Sequence, residues 1–269
     1  MPEGHTLYRL AREQQQVFAG RPVHVTSPQG RFAAGAALLD GRVLQEVVSY
    51  GKHLFADFGA DVLHVHLGLY GTFVGGSGDP PPPKGALRMR WTAAGPDGAG
   101  AWTDLRGPTA CEVLAHPEVT AILGRLGPDP LRPRADGGLA HRRIAGSRTA
   151  VGALLMDQSV LAGVGNVYRA ELLFRHRVSP FRPGRAVDAP LWQEMWADLV
   201  TLLRSGVRLG RIVTTRPEDR IRRRGAVQRD DAHYVYRRTG LPCRVCGTGI
   251  RTEVMVGRNL YWCPVCQAV

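Results

Sequence analysis

Four cysteines, Cys243, Cys246, Cys263 and Cys266, form a C-x2-C-x16-C-x2-C pattern near the end of this chain. Each short spacing turns two thiolates toward one point, and the segment between the pairs is long enough for a β-hairpin. The pattern predicts one tetrahedral Zn2+ site. Four thiolates leave no open coordination position, so the metal is expected to be structural. A redox pair needs only one C-x-x-C, and disulfides are disfavoured in a cytoplasmic chain. Cys111 stands alone in a strand-like stretch and reads as a small buried hydrophobe. The other chemical feature is the start, MPEGHT. Methionine is routinely trimmed before a small residue, which leaves Pro2 with a secondary α-amine beside the Glu3 carboxylate. The same pair also suits an ordinary helix start, with proline at the first position and an acid in the first turn.

Three further positions have two readings each. The chain has 35 cationic side chains, and only Lys52 and Lys84 among them are lysines. Lys84 follows DPPPP, a surface loop. Lys52 sits in SYGKHLFADF between two apolar runs. It is either an exposed strand-end residue or a compact cation placed against a phosphate, a task for which arginine is no equivalent. Arg251 and Arg258 lie in the segment held between the cysteine pairs. An arginine there is either solvated or positioned to grip a phosphate in bidentate fashion. In LAGVGNVYRAELLF, Gly163 and Gly165 permit a tight turn before a helix. Asn166 then stands at the helix start, as an N-cap or beside backbone N–H groups able to hold a phosphate.

The elements that must carry these residues fall into two halves. Leu7, Leu10, Ala11, Val17 and Phe18 recur at helical spacing, which predicts an amphipathic helix over 3–18. Strand-like runs follow at 22–27, 42–50, 52–58, 61–67, 86–92 and 110–114, separated by Gly, Pro and Asp. GGSGDPPPPKG and AAGPDGAGA read as loops. The first half is thus a mostly antiparallel β domain led by one helix. From 117 to 205 the pattern is helical, with two helices around a Gly-rich turn and a third ended at Gly206. Residues 207–232 are Arg-rich and weakly periodic, which reads as a flexible or disordered loop. GPDPLRPRADGG reads as the linker.

Composition narrows the partners. The net charge is +12, and 44% of the 269 residues are hydrophobic, enough for real cores. No run of eighteen apolar residues occurs, so no membrane span is expected. The amphipathic start carries Glu3 and Glu13, which argues against a signal peptide and for a cytoplasmic protein. Residues 1–134 carry 13 basic and 12 acidic side chains, whereas residues 135–269 carry 22 and 11. A coding bias toward Arg does not explain that asymmetry. The second half is expected to meet a polyanion.

Together these pieces resemble the formamidopyrimidine-DNA glycosylase and endonuclease VIII family of bifunctional DNA repair enzymes. MPEG matches the family's start, GKHL a motif of its β domain and LGPDPL its linker. DQSVLAGVGNVYRAELLF matches its helix–two-turn–helix motif. VYRRTGLPCRVCG and GRNLYWCPVCQ match its zinc finger. The resemblance implies an α+β fold: an N-terminal helix plus antiparallel β-sandwich, then a helical domain with a C-terminal zinc-finger β-hairpin. The expected division is 1–126 for the catalytic domain, 127–138 for the linker, 139–236 for the helical domain and 237–269 for the zinc finger. The implied roles are Pro2 as nucleophile, Glu3 as acid/base partner and Lys52 as a contact to phosphate at the lesion. Asn166 and Arg258 would bind the DNA backbone around the damaged nucleotide. The implied partner is DNA with damaged or abasic nucleotides, met by a monomer, with no membrane and a location at the bacterial nucleoid.

The departures from the family pattern are informative. His5 and Thr6 replace the usual Pro-Glu, so a carboxylate near the site is lost. Arg106 matches the family's Asp-x-Arg segment as a DNA-binding residue, but no Phe follows it to fill the void left by an extruded base. Leu69 and Tyr70 in HLGLYGTF can fill it instead, which favours the endonuclease VIII branch and oxidised pyrimidines over oxidised purines. The alternative for this pair is packing within the β domain. His64 and His66 alternate on one strand face and are expected to pack there rather than hold a metal. Two rivals remain: a non-catalytic zinc-ribbon nucleic-acid-binding protein, and an RNA-binding protein. The first leaves Pro2, Glu3 and Lys52 unexplained. The second is at odds with elimination chemistry that requires a deoxyribose.

Overall fold

The opening residues do not start the helix where their types suggest. In the computed structural model, which describes residues 2–94 and 98–268, helix α1 spans Gly4–Phe18, with Glu3 as its N-cap and Pro2 outside it. Leu7, Leu10, Ala11 and Phe18 form its buried face. Full burial of a Leu or Phe contributes about 1.5–3 kcal/mol, so this face fixes the helix on the sheets. Phe18 meets Trp91 edge-on, with centroids 5.6 Å apart. Met1 lies outside the described residues.

Two compact units divide the chain after Arg125. The first contains two four-stranded antiparallel sheets. One has the order β1 (His24–Thr26), β6 (Leu87–Ala94), β7 (Gly100–Arg106) and β5 (Thr72–Ser77). The other has the order β2 (Glu46–Tyr50), β3 (His53–Asp57), β4 (Val62–His66) and β8 (Ala110–Leu114). Residues of both sheets and of α1 share one core, which includes Leu54, Leu63, Val65, Met89, Trp91 and Leu105. Short helices α2 (Ala33–Leu39) and α3 (His116–Gly124) complete the unit.

Sequence patterning missed β5, β7 and α2. Strand β5 is TFVGGS, an edge strand with small residues where alternation would show, so GGS falls in a strand rather than in the expected loop. In β7 the inward set Ala101, Thr103 and Leu105 is interrupted by Asp104, which is also fully buried. Arg90 explains that burial. Its Nε and Nη2 donate to the two Asp104 carboxylate oxygens at 2.6 and 2.9 Å, so the charge is paired by two hydrogen bonds.

The second unit holds α4 (Gly137–Ala145), α5 (Val151–Leu154), α6 (Asn166–Arg175) and α7 (Ala189–Leu209), then the hairpin of β9 (Arg251–Met255) and β10 (Arg258–Trp262). Helix α7 runs past Gly206, which is buried inside it, and stops at Gly210, where φ is +67°. Only a left-handed residue closes a helix in that way, and Gly206 is not one. Residues 127–131, expected in the linker, are buried. Gly127 N–H donates to the Gln158 carbonyl at 2.8 Å, and Ala162 N–H to that of Pro128 at 3.1 Å, so this stretch belongs to the second unit. Residues 207–232 are tied at their base rather than loose. The Asp231 carboxylate accepts from Ile221 N–H, Arg222 N–H and Arg244, while Tyr234 donates to Asp219. Among the described residues, no helix is long and apolar enough to cross a membrane.

Candidate active site

Pro2 and Glu3 meet the solvent differently. Pro2 is half-buried, whereas Glu3 is fully buried. The Glu3 backbone carbonyl accepts from Thr6 N–H at 2.8 Å and opens α1, but its side chain makes no capping bond. The expected helix-start roles, proline at the first helical position and an acid in the first turn, are therefore both unused. The carboxylate is nevertheless at the N-terminal end of a fifteen-residue helix, where the helix dipole favours negative charge. His5 is also buried, and burial, then the charge of Arg9, pushes its pKa down to about 4. A neutral imidazole therefore replaces a residue the family pattern would make different, and Thr6 Oγ1 lies 3.3 Å from its Nε2.

Helix α1 packs on β2 and β3, and Lys52 lies in the turn that joins these strands. Gly51 beside it has φ +56°, which makes the turn tight. The next strand, β4, leads to the turn that carries Leu69 and Tyr70. Both flanking glycines are required there. Gly68 has φ +64° and a Cβ on it would strike Thr109, while a Cβ on Gly71 would lie 2.4 Å from the Leu67 carbonyl oxygen. Gly71 N–H closes the turn on that oxygen at 2.9 Å. Leu69 is 37% exposed and Tyr70 85% exposed, so the core does not hold the tyrosine ring. Arg106, at the end of β7, is half-buried and donates to Asp104 at 3.0 Å and to the Lys84 carbonyl. A cleft of about 490 Å³ between α1 and strands β5 and β7 is lined by none of these residues.

The second unit brings Asn166 and the hairpin together. Gly165, in extended backbone, is the N-cap of α6, and Asn166 is the first helical residue, not the cap. Its buried side chain is spent elsewhere. Nδ2 donates to the Asn259 carbonyl at 2.9 Å, and Oδ1 accepts from Arg169. The helix therefore grips the hairpin one residue away from Arg258. Arg258 is exposed, at the foot of a two-residue turn in which Val256 and Gly257 both have positive φ, +53° and +65°. That turn suits a hairpin's twist, yet a β-branched residue is strained in it.

Local patterning had marked neither buried ion of α6. Arg169 is fully buried and reaches the Gly152 and Met255 carbonyls at 3.3 and 3.4 Å. Glu171, also fully buried, accepts from the backbone N–H groups of Tyr234, Val235 and Tyr236 at 2.7–2.8 Å, and from Thr214. The available signal was two charges inside an otherwise apolar helical run. Gln158 was missed as well. Its amide bridges the Met156 and Val164 carbonyls and Gly163 N–H, and so holds the connection between α5 and α6.

The sulfur atoms of Cys243, Cys246, Cys263 and Cys266 all lie within 4.8 Å of one another. Zn–S bonds of about 2.3 Å in a tetrahedron need sulfurs about 3.8 Å apart, so the four fit one zinc ion. Val245 N–H and Cys266 N–H already point at the Cys243 and Cys263 sulfurs, at 3.5 and 3.4 Å. Hydrogen bonds from Thr248 push the Cys246 thiol down to about 6, whereas burial raises the Cys243 and Cys266 thiols, so those two would be deprotonated by the metal itself. Among the described residues this is the only such cluster of His, Cys, Asp and Glu, so His64 and His66 are not part of one. Cys111 packs against the β-domain core, and burial pushes its thiol up to about 12.

Residues 1–111 match the formamidopyrimidine-DNA glycosylase N-terminal domain, residues 126–218 the formamidopyrimidine-DNA glycosylase H2TH domain, and residues 240–269 a zinc finger found in FPG and IleRS. The chain is 54% identical over 272 residues to Endonuclease 8 1 of Mycobacterium tuberculosis (strain ATCC 25618 / H37Rv), covering 99% of this chain and 100% of that protein. It is 34% identical over 239 residues to the formamidopyrimidine-DNA glycosylase of Methylococcus capsulatus, covering 85% and 83%. The fold matches a crystal structure of Lactococcus lactis formamidopyrimidine DNA glycosylase non-covalently bound to DNA containing an AP site. The TM-score is 0.80 at 20% identity, over 99% of this chain and 100% of that one.

Proposed function

The chain belongs to the formamidopyrimidine-DNA glycosylase family, on the endonuclease VIII side, and from that premise we propose that it is a bifunctional DNA glycosylase and AP lyase of base excision repair with Pro2 as its nucleophile. The observation that carries the assignment of residues is the chain start. Pro2 stands outside α1, and the buried Glu3 beside it does not spend its carboxylate on capping.

The chemistry follows from an N-terminal proline. An α-amine titrates near about 7.7–8.0, so a useful fraction is neutral at cellular pH, unlike an ordinary lysine. Once Met1 is removed, the Pro2 nitrogen attacks C1′ of the deoxyribose and the bond from C1′ to the base breaks. The amine gives up its N–H proton, the C1′–O4′ bond opens with a proton delivered to O4′, and the nitrogen lone pair closes onto C1′ as an iminium ion that, coming from a secondary amine, has no N–H left to lose. That cation draws electrons and acidifies C2′. Loss of a C2′ proton expels the 3′ phosphate, and a second elimination expels the 5′ phosphate. Glu3 moves protons at these steps, and the helix dipole behind it keeps the carboxylate available. The nucleotide must leave the stack first, which costs a few kcal/mol and is easiest for damaged or unpaired bases.

Lys52 holds a phosphate at the lesion, Arg258 holds the DNA backbone, Asn166 serves that grip through the side-chain bonds that fix the hairpin to the start of α6, Arg106 contacts DNA, and Leu69 with Tyr70 occupies the gap in the duplex. Zinc holds the hairpin that presents Arg258 and takes no part in bond breaking. Oxidised pyrimidines are the favoured lesions, since 54% identity lies with an endonuclease 8 and 34% with a formamidopyrimidine-DNA glycosylase. The enzyme works as a monomer in the cytoplasm, on nucleoid DNA.

Borohydride trapping on abasic DNA tests the assignment, because only an amine nucleophile is reduced to a stable adduct. Protein whose mature N-terminus is Pro2, checked by mass spectrometry, is expected to trap. Protein with a residue retained before Pro2 is expected not to. Full trapping by the extended form would refute Pro2.

A further inference from the structure

The tips of the Gly68–Gly71 turn, Leu69 and Tyr70, are exposed, so what holds them in place is the backbone behind them. That backbone meets a second bend, Gly107, Pro108 and Thr109, which joins β7 to β8 and so passes from one sheet of the unit to the other. The bend follows Arg106, where no Phe is present to fill a gap in DNA, and the reaction above uses none of its three residues.

The two segments touch at both ends of the turn. The Thr109 side chain lies against Gly68: a Cβ on Gly68 would be 1.8 Å from Thr109 Oγ1 and 3.1 Å from Thr109 Cβ. At the other end, a Cβ on Gly107 would be 3.8 Å from the Tyr70 carbonyl oxygen. Hydrogen bonds hold the bend itself. Thr109 N–H donates to the carbonyl of His66, the last residue of β4, at 2.9 Å. Gly107 N–H donates to the Ala86 carbonyl, just before β6, at 3.3 Å. The bend is also stiff. Pro108 is buried, and its ring fixes φ at about −65°. The turn it faces is entered through glycine, the residue type with the widest choice of backbone states. Gly68 has φ +64°, and any other state at that position would swing both tips. Thr109 Oγ1 occupies the space such a swing needs. A β-branched side chain has few rotamers, so the stop does not yield easily.

We propose that Thr109 is a positioning residue for base extrusion: its side chain is the seat on which the Gly68–Gly71 turn rests, so that Leu69 and Tyr70 enter the gap in the duplex from one fixed direction. The inference rests on the gap-filling role given to that pair. The contact is one of shape. A methyl group at the position of Oγ1 therefore serves as well as the hydroxyl, whereas an empty space there releases Gly68. Re-ordering the backbone of one residue is enough to change a rate by about 5–30-fold, and without the seat that cost falls on the extruded state.

The test is single-turnover excision of an oxidised pyrimidine from duplex DNA, run beside cleavage of an abasic site in single-stranded DNA. Thr109→Ala is expected to slow duplex excision by about 5–30-fold and to cleave the single strand at the parent rate. Thr109→Val, which puts a methyl where the hydroxyl stands, is expected to restore duplex excision. Thr109→Ala added to Leu69→Ala with Tyr70→Ala is expected to slow excision no further, because the seat then has nothing to hold. Equal losses on the two substrates, a Thr109→Val variant as slow as Thr109→Ala, or a further loss in the triple variant would overturn the seat. A parent duplex rate in Thr109→Ala, with a slow one in Leu69→Ala with Tyr70→Ala, would also overturn it and leave the gap-filling role intact. A parent duplex rate in Leu69→Ala with Tyr70→Ala would overturn that role, and the inference with it.

Discussion

Truncating both tips of the Gly68–Gly71 turn, as Leu69→Ala with Tyr70→Ala, separates a role in DNA from a role in the fold. The turn owes its shape to Gly68 and Gly71, and the two tips stand 37% and 85% exposed. The fold is therefore expected to lose no more than about 0.5 kcal/mol, the usual scale for surface changes. The duplex loses more. An extruded nucleotide leaves a hole, and stacking of an aromatic ring on the flanking bases is worth about 1–3 kcal/mol. If that stabilisation is lost from the extruded state, base excision slows by roughly 5–150-fold. Single-turnover excision of an oxidised pyrimidine from duplex DNA measures this. Cleavage of an abasic site in single-stranded DNA is the control, because no stack has to be filled there. A thermal melt checks the fold. Equal losses on the two substrates, or a fall in melting temperature that accounts for the loss, would refute the reasoning and make the pair structural.

Cys263→Ser should abolish zinc binding and weaken DNA binding with it, and normal DNA cleavage by the metal-free protein would show that the hairpin has no part in grip. Glu171→Ala orphans three backbone N–H groups just before the zinc finger, each at a cost of about 1–3 kcal/mol, so urea denaturation should show a loss of at least about 3 kcal/mol, and a loss below about 1 kcal/mol would contradict the burial argument. His5 and His53 titrate near 4 and 3 in the folded chain but near about 6.5 when unfolded. The unfolded chain therefore binds more protons below neutrality. Stability should be full above pH 6.5 and fall on acidification, by up to about 1.4 kcal/mol per pH unit for each ring; denaturation midpoints unchanged between pH 7 and 5 would contradict it.

Much of the site was legible because its signals are local. Four cysteines at fixed spacing predict a metal wherever the hairpin packs. The apolar face of α1 repeats at 3.6 residues and needs no partner to be recognised. The proline and glutamate at the start announce an amine and an acid by their types alone. Other features are decided by partners far along the chain. Gly206 and Gly210 are the same residue type, and only the left-handed backbone at Gly210 ends α7. Asn166 has the type of an N-cap, but a backbone carbonyl of β10 and the Arg169 side chain claim its amide, and Gly165 takes the cap.

The sequence by itself marked the candidate site residues, the four zinc ligands and the division into a β-rich first half and a helical second half, because each depends on residue type and short spacing. Tertiary structure alone decided how buried charge is neutralised. Asp104 can lie in β7 because Arg90 of the neighbouring strand reaches both of its oxygens. Glu171 can lie inside α6 because three N–H groups about sixty-five residues later converge on it. His53, His64 and Glu112 are 11 and 48 residues apart in sequence, and sheet register makes them one chain of hydrogen bonds. A buried polar group is stable only when its partners arrive, and the arrival of partners across such separations is a property of the folded sheet and helix rather than of any window of the sequence.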